Sequence, residues 1–279
     1  MDGALEETVR IVREGDRDRY LSVLFAPEAK RPALFALYAF NVEIARVRDL
    51  IHEPMPGEIR LQWWRDAILG EAPAAGNPLA EALIRTIREY ELPPAAFDNM
   101  IEARLFDLYD DPMPSRTDLE GYCGETASAL IQLAGLVLDR DGASATADLA
   151  GHAGCAQAIA GLLRSLPIRL ARGQCYVPRD VLSAAGTSPE EFVAEKGGAA
   201  GKRAVAAMIA LAREHLAQFE AGAREMPPSL RPAYLPAALA NAYLALLSTS
   251  SVDPFKQIPD ISPLRRNLVM ARRAFFGWR

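Results

Sequence analysis

Carboxylates and arginines close together on one apolar helix are the residues best placed to do chemistry here, and the stretch YAFNVEIARVRD, Tyr38 to Asp49, holds such a set. Carboxylates one helical turn apart can share a divalent cation, because hard Mg²⁺ takes oxygen ligands. Asp49 stands almost alone, with Arg46 lying between it and Glu43. Helical spacing puts Tyr38, Asn41 or Val42, Ala45 and Asp49 on one face. Taken by itself, that is a core helix with a few polar residues at its end. A second acidic cluster, Asp107 to Asp111, falls where ARLFDLYDDPMP reads as a helix running into a proline-rich turn. Carboxylates at such a place are usually exposed, so a structural or solvated role is expected there over metal binding. His52, His152 and His215 are isolated, and Cys123, Cys155 and Cys175 are scattered without metal-ligand spacing. These read as structural imidazoles and as buried thiols of a reducing compartment.

The elements that must position these residues are helices. Alanine, leucine, arginine and glutamate dominate, β-branched runs are scarce, and apolar residues recur at three and four. Starts are signposted at TDLE, with Thr117 as N-cap and Glu120 at N3, and at SPEE, with Ser188 as cap, Pro189 at N1 and Glu191 at N3. Ser262 followed by Pro263 opens a last helix. Breaks are expected at 53–57, 71–78, 91–94, 111–114, 139–142, 225–228 and 250–255. No break is long enough for an interdomain linker, so a single all-α domain over 1–279 is expected, with roughly ten helices of ordinary length.

Composition narrows the function classes. With 279 residues, half of them apolar and 24% charged, the chain can bury a substantial core. A net charge of −5 argues against a nucleic-acid binder. The charged, acidic first 20 residues resemble neither a signal nor a transit peptide. The longest apolar run, YLPAALANAYLALL, falls short of the ~20 residues a span needs. A cytoplasmic protein is expected.

Four further stretches change the weight of the first: DRDRYLSVLFAP (16–27), LEGYCGETASALIQLAG (119–135), GCAQAIAGLLRS (154–165) and GQCYVP (173–178). Together, and in this order, they resemble the squalene and phytoene synthase family, the head-to-head prenyltransferases. The resemblance implies an isoprenoid-synthase-type helical bundle with a central cavity. It also implies two facing acidic motifs that hold Mg²⁺ against a prenyl diphosphate. Laid onto this chain, the first motif falls on Ala45, Arg46 and Asp49, and the second on Ser165, Ile168 and Arg169. One acid of six survives. Arg164 matches a family arginine, while Gly161 and Gln174 replace a family asparagine and arginine. Pro167 sits inside the second motif and disfavours helix at Leu166. An arginine ~4 Å from a metal ion repels it by several kcal/mol at an effective dielectric of ~20. No catalytic residue, metal site or cofactor is therefore expected, and Mg²⁺ enters only if the chain is an enzyme after all.

AFNVEIARVRD, IRLQWWRD (59–66) and AQAIAGLLRSLP (156–167) are similar to a narrower, non-synthase branch that includes a mitochondrial respiratory complex I assembly factor. Without a transit peptide, a bacterial relative is implied, with respiratory-complex subunits or assembly intermediates as partners. Two alternatives stay open. One is a prenyl diphosphate synthase with unusual metal use. The other is a metal-free binder of an anionic lipid or prenyl diphosphate, since guanidinium forks suit phosphate. Candidate cavity residues are Tyr38, Asn41, Arg46, Asp49, Asp107, Gln157, Arg164, Arg169 and Arg172.

The tail PLRRNLVMARRAFFGWR (263–279) has no acid and carries Arg265, Arg266, Arg272, Arg273 and Arg279 beside Phe275, Phe276 and Trp278. On a helix this suits an anionic membrane surface or an acidic partner, at the inner face of the cytoplasmic membrane. The competing reading is a C-terminal helix whose cations complement its dipole.

Overall fold

Among the described residues, all regular structure is helical. The computed structural model describes residues 3–51, 53–195, 197–249 and 251–278. His52 and Arg279, both named above, lie outside the described residues. Eighteen α-helices are described: α1 (Gly3–Gly15), α2 (Arg17–Val23), α3 (Arg31–Ala45), α4 (Val47–Leu50), α5 (Pro54–Leu69), α6 (Pro78–Glu89), α7 (Pro94–Leu105), α8 (Arg116–Cys123), α9 (Ala129–Leu138), α10 (Arg140–Ala145), α11 (Ala147–Arg164), α12 (Leu166–Ala171), α13 (Arg179–Ala185), α14 (Pro189–Glu195), α15 (Ala199–Gly222), α16 (Arg231–Ala238), α17 (Ala240–Leu247) and α18 (Pro263–Phe276). The expected ten become eighteen because long apolar stretches are interrupted at single residues, as at Arg46, Ser165 and Leu239.

Capping chemistry explains where several helices begin. Ser188 and Glu191 form the expected reciprocal box, and Ser262 accepts from the Arg265 amide. Thr117 is not a cap. Ser115 holds that position and accepts from the Asp118 amide, which leaves Glu120 free to turn elsewhere. The expected breaks at 53–57 and 139–142 are helix starts instead. Pro54 occupies the first turn of α5, where a missing N–H costs nothing, and Asp139 caps α10.

The chain groups into two compact units, neither of them continuous in sequence. The first comprises residues 1–109, 129–147 and 226–236. Its centre is α3, buried from Ala33 to Val42 on every side, as befits a helix apolar all round. Phe40 meets Trp64 of α5 and Phe97 of α7 edge-on, at centroid distances of 5.3 and 5.6 Å. Each fully buried aromatic side chain contributes about 2–3 kcal/mol of transfer free energy. Amphipathic α1 lays Ala4, Thr8, Ile11 and Val12 inward, and α6 packs on both α1 and α3. A Cβ at Gly15 would come 2.5 Å from a Val42 methyl, so the close approach of α1 to α3 needs glycine there.

The second unit comprises residues 110–128, 148–225 and 237–279. Its helix α11 crosses a π-helical turn, Gly124–Ser128, closely enough that a Cβ on Gly154 would lie 2.2–2.5 Å from Ser128 atoms, backbone included. The Ser128 hydroxyl donates to the Gly151 carbonyl at 3.0 Å, tying the turn to that helix. Residues 173–178 are pinned by backbone bonds, Met113 N–H to Cys175 O and Gln174 N–H to Arg169 O.

Candidate functional site

The first motif region does not lie on one straight helix. Backbone regularity is lost at Arg46, φ −91° and ψ −2°, where α3 ends and the short α4 restarts. Asp49 lies on α4, beyond that interruption, and is exposed. Tyr38 and Asn41 are buried. Burial pushes the Tyr38 hydroxyl up to about 12, against the opposing pull of the nearby Arg19 cation, so the hydroxyl stays protonated. The Arg46 side chain is exposed and makes no ion pair or hydrogen bond among the described residues. It forms no pair with Asp49, three residues on, although the Leu50 amide donates to the Arg46 carbonyl at 3.2 Å across that turn.

Arg46 faces a groove of about 700 Å³ contained in the first unit, formed by α1, the end of α3, α5 and the start of α6. Glu43, one turn earlier, lines it too and pairs with Arg60 at 2.8 Å. Arg10 of α1 engages Glu7 at 2.7 Å and Glu14 at 2.9 Å. Its hydrogen bond lowers the Glu7 carboxyl below the ordinary 4.5. Asp107 is buried beside Arg104, with its carboxylate 3.1 Å from the guanidinium, so its role is structural rather than solvated.

The second motif positions are occupied by a different chemistry. Pro167 takes the N2 place of α12, and the helix is interrupted at Ser165 between α11 and α12. The Ser165 hydroxyl donates to Gly161 O at 2.9 Å and accepts from Arg169 Nε at 3.0 Å. The Arg169 guanidinium lies over the Tyr176 ring, 4.3 Å from its centroid. Ile168 is 41% exposed, and Arg172 is exposed at the end of α12. Gln157 has a buried Oε1 without a hydrogen-bond partner among the described residues. Arg164 finds the acid that its neighbourhood in sequence lacks. It reaches Asp260 at 3.4 Å and Pro259 O at 3.1 Å and stacks over Tyr243.

A prenyltransferase Mg²⁺ cluster needs converging carboxylates, and these positions offer a hydroxyl, a methyl, an exposed aliphatic chain, two guanidiniums and one aspartate. The donor set does not fit the ion. No group of three His, Cys, Asp or Glu side chains among the described residues has metal-holding geometry.

Helix α18 divides its residues by register. Arg266, Met270 and Arg273 point inward. Arg266 is 3% exposed and donates to Asp260 at 2.6 Å and to the Tyr243 hydroxyl at 3.1 Å, and Arg273 reaches Glu220 at 3.4 Å. Trp278 is buried edge-on against Phe219. Arg266, Arg273 and Trp278 were expected on the contact surface, and the packing of α18 on its own unit takes them away from it. The outer face keeps Leu264, Leu268 and Phe275 in one stripe and Arg265, Arg272 and Phe276 in the next. No helix among the described residues is long and apolar enough to cross a membrane.

Sequence reasoning missed Asp260, Tyr243 and the groove. Asp260 did carry a signal, being the last acid before the arginine-rich tail. It also missed a contact between His152 and His215, whose Nδ1 atoms lie 3.0 Å apart, and the Glu120 carboxylate 3.1 Å from His215 Nε2. Nothing in the spacing of residues 63 apart could have shown it.

The profile of the squalene/phytoene synthase family matches residues 12–271. The chain is 31% identical over 252 residues to NADH dehydrogenase (ubiquinone) complex I, assembly factor 6, of Mus musculus, covering 88% of this chain and 74% of that one. It is 27% identical over 211 residues to presqualene diphosphate synthase of Sinorhizobium fredii, covering 72% of each. Among solved structures, squalene synthase HpnC from Alicyclobacillus acidocaldarius aligns with a TM-score of 0.73 at 23% identity, over 91% of this chain and 95% of that one. The fold is thus the helical isoprenoid-synthase fold. With a profile match over most of its length and the same all-helical scaffold, the chain belongs to the squalene/phytoene synthase family.

Proposed function

We propose that this protein is an accessory or assembly factor for respiratory complex I, built on a prenyltransferase scaffold that no longer performs prenyl transfer. The observation that carries the reading is the chemistry at the six motif positions, where Arg46 and Arg169 replace acids and Asp49 alone remains. Likeness to an assembly factor supports it from a separate direction. The chain then acts by binding, with complex I subunits or assembly intermediates as partners.

The likeness to presqualene diphosphate synthase favours the second reading, a prenyl diphosphate enzyme with unusual metal use. That reading needs replacement carboxylates, and none converge among the described residues. A metal-free phosphate site built on Arg164 and Arg169 is weakened too, because Tyr243, Asp260, Tyr176 and Ser165 already engage those guanidiniums.

The outer face of α18 supports peripheral attachment to an anionic bilayer, at the inner face of the cytoplasmic membrane. Leu264, Leu268, Phe275 and Phe276 are 67–78% exposed, with Arg265 and Arg272 alongside. Such a face buries apolar side chains at the headgroup boundary while its cations meet lipid phosphates.

The deciding experiment removes the chain from its cells, then measures assembled complex I and NADH:quinone activity in their membranes. Capture of complex I subunits on the tagged chain accompanies it. Loss of complex I, restored by re-expression, is expected. Unchanged complex I would overturn the reading.

A further inference from the structure

The groove beside Arg46 is absorbed by none of this. Its walls are apolar, with Ile11, Ile51, Ile59, Trp63 and Leu79 among the lining residues, and Ile59 is 65% exposed. Its rim carries three carboxylates, Glu7, Glu14 and Glu43, and three guanidiniums, Arg10, Arg46 and Arg60. Arg10 and Arg60 between them satisfy all three acids. One cation, Arg46, is left over.

That balance selects the occupant. A diphosphate brings two or three negative charges into a rim where three carboxylates already stand and a single guanidinium is unengaged. Most of its charge would go uncompensated. One carboxylate matches the one open guanidinium as a charge-assisted pair. Leu50 and Met55, chain neighbours of the lining residues Ile51 and Pro56, are 54% and 71% exposed. A volume of about 700 Å³ is in the range that takes several apolar groups, and exposed apolar side chains in the adjoining chain suit a partner longer than a small molecule. An amphipathic helix laid into an apolar groove, with anchors three and four residues apart, has this shape.

We infer that the groove formed by α1, α5 and the Arg46 break is the docking site for a polypeptide segment presenting apolar side chains and one carboxylate, the carboxylate pairing with Arg46. The inference rests on the accessory-factor reading for its choice of a polypeptide partner, and it names the surface that partner uses.

The test uses the full chain and a phage-displayed library of random twelve-residue peptides. Enriched peptides are synthesised, and their affinity is read by fluorescence anisotropy on the wild type, Arg46→Glu, Ile59→Asp and, exposed outside the groove, Arg224→Glu. Arg46 and Ile59 are both exposed, and circular dichroism confirms that each variant folds. Enriched peptides carrying one Asp or Glu among apolar residues are expected. Arg46→Glu and Ile59→Asp should each weaken binding on the order of tenfold, as should amidation of the peptide carboxylate, with Arg224→Glu unchanged. No enrichment, or binding indifferent to both groove variants, overturns the inference. So does farnesyl diphosphate displacing the peptide through Arg46, or self-association of the chain lost in Arg46→Glu, either of which assigns the groove to another occupant. The selection needs no respiratory complex, and the complex I content of cells lacking the chain does not depend on the groove. Either conclusion can therefore fail without the other.

Discussion

The Arg164 guanidinium lies over the Tyr243 ring, 3.6 Å from its centroid, and shares the Asp260 carboxylate with Arg266 of α18. An arginine at a position that the family uses near its second metal motif here fastens the C-terminal helix to its own unit. Stacking and a charge-assisted pair act together at this junction.

Arg266 bears most of that attachment, being buried with two polar partners. Arg266→Ala leaves Asp260 and the Tyr243 hydroxyl without it and should cost about 2–3 kcal/mol. Arg265→Ala, one residue earlier and exposed, should stay within about 0.5 kcal/mol. Urea unfolding of the two variants makes the comparison, and equal losses would place α18 differently.

Helix α11 approaches the Gly124–Ser128 turn through Gly154. Gly154→Ala should destabilise by about 1–3 kcal/mol, because the new methyl meets backbone that cannot rotate away. Gly161→Ala on the same helix meets nothing within 4 Å. It should be neutral or gain up to about 1 kcal/mol from helix propensity. Thermal unfolding should move in opposite directions for the pair.

Glu120 links Arg116 and His215 across the second unit, at 3.0 and 3.1 Å. Burial pushes its carboxyl up, but the hydrogen bonds from Arg116 and His215 outweigh that and hold it below the ordinary 4.5. A carboxyl depressed on folding adds stability that is complete above its unfolded value and fades as pH falls through the folded one. Glu120→Gln should therefore cost about 1 kcal/mol at neutral pH. The gap to the wild type should close as pH drops below 4.5, as read by thermal unfolding across an acid series. A gap that widens in acid would contradict the assignment.

Attachment through α18 should depend on its outer face. In flotation with vesicles containing phosphatidylglycerol, the chain is expected to bind at low salt and to be released at high salt. Leu268→Asp with Phe275→Asp should abolish binding, and removal of 263–279 should do the same. Release that ignores both salt and the double substitution would exclude this face.

The helical class was legible because apolar periodicity and caps at Ser188 and Ser262 are local signals, decided within one turn. The interruption of the second motif was legible in part: Pro167 marks it, but the break falls at Ser165, and Leu166, where helix was disfavoured, opens α12. The break at Arg46 was not, since neither proline nor glycine marks it. The register of α18 was equally hidden. Five arginines without an acid look alike in sequence, and only the packing of Met270 and Trp278 decides that Arg266 turns in and Arg265 out. The Arg164–Asp260 pair spans 96 residues, beyond any local pattern.

The central claim is that the scaffold has lost metal-assisted prenyl transfer, and pyrophosphate release tests it most directly. The purified chain is incubated with farnesyl or geranylgeranyl diphosphate and Mg²⁺ or Mn²⁺, alongside the Arg46→Asp, Arg169→Asp double variant and a heat-killed control. No release above the control is expected from either protein, because Ser165 and Ile168 still deny the second site its carboxylate ligands. Metal-dependent release by the wild-type chain would contradict the account.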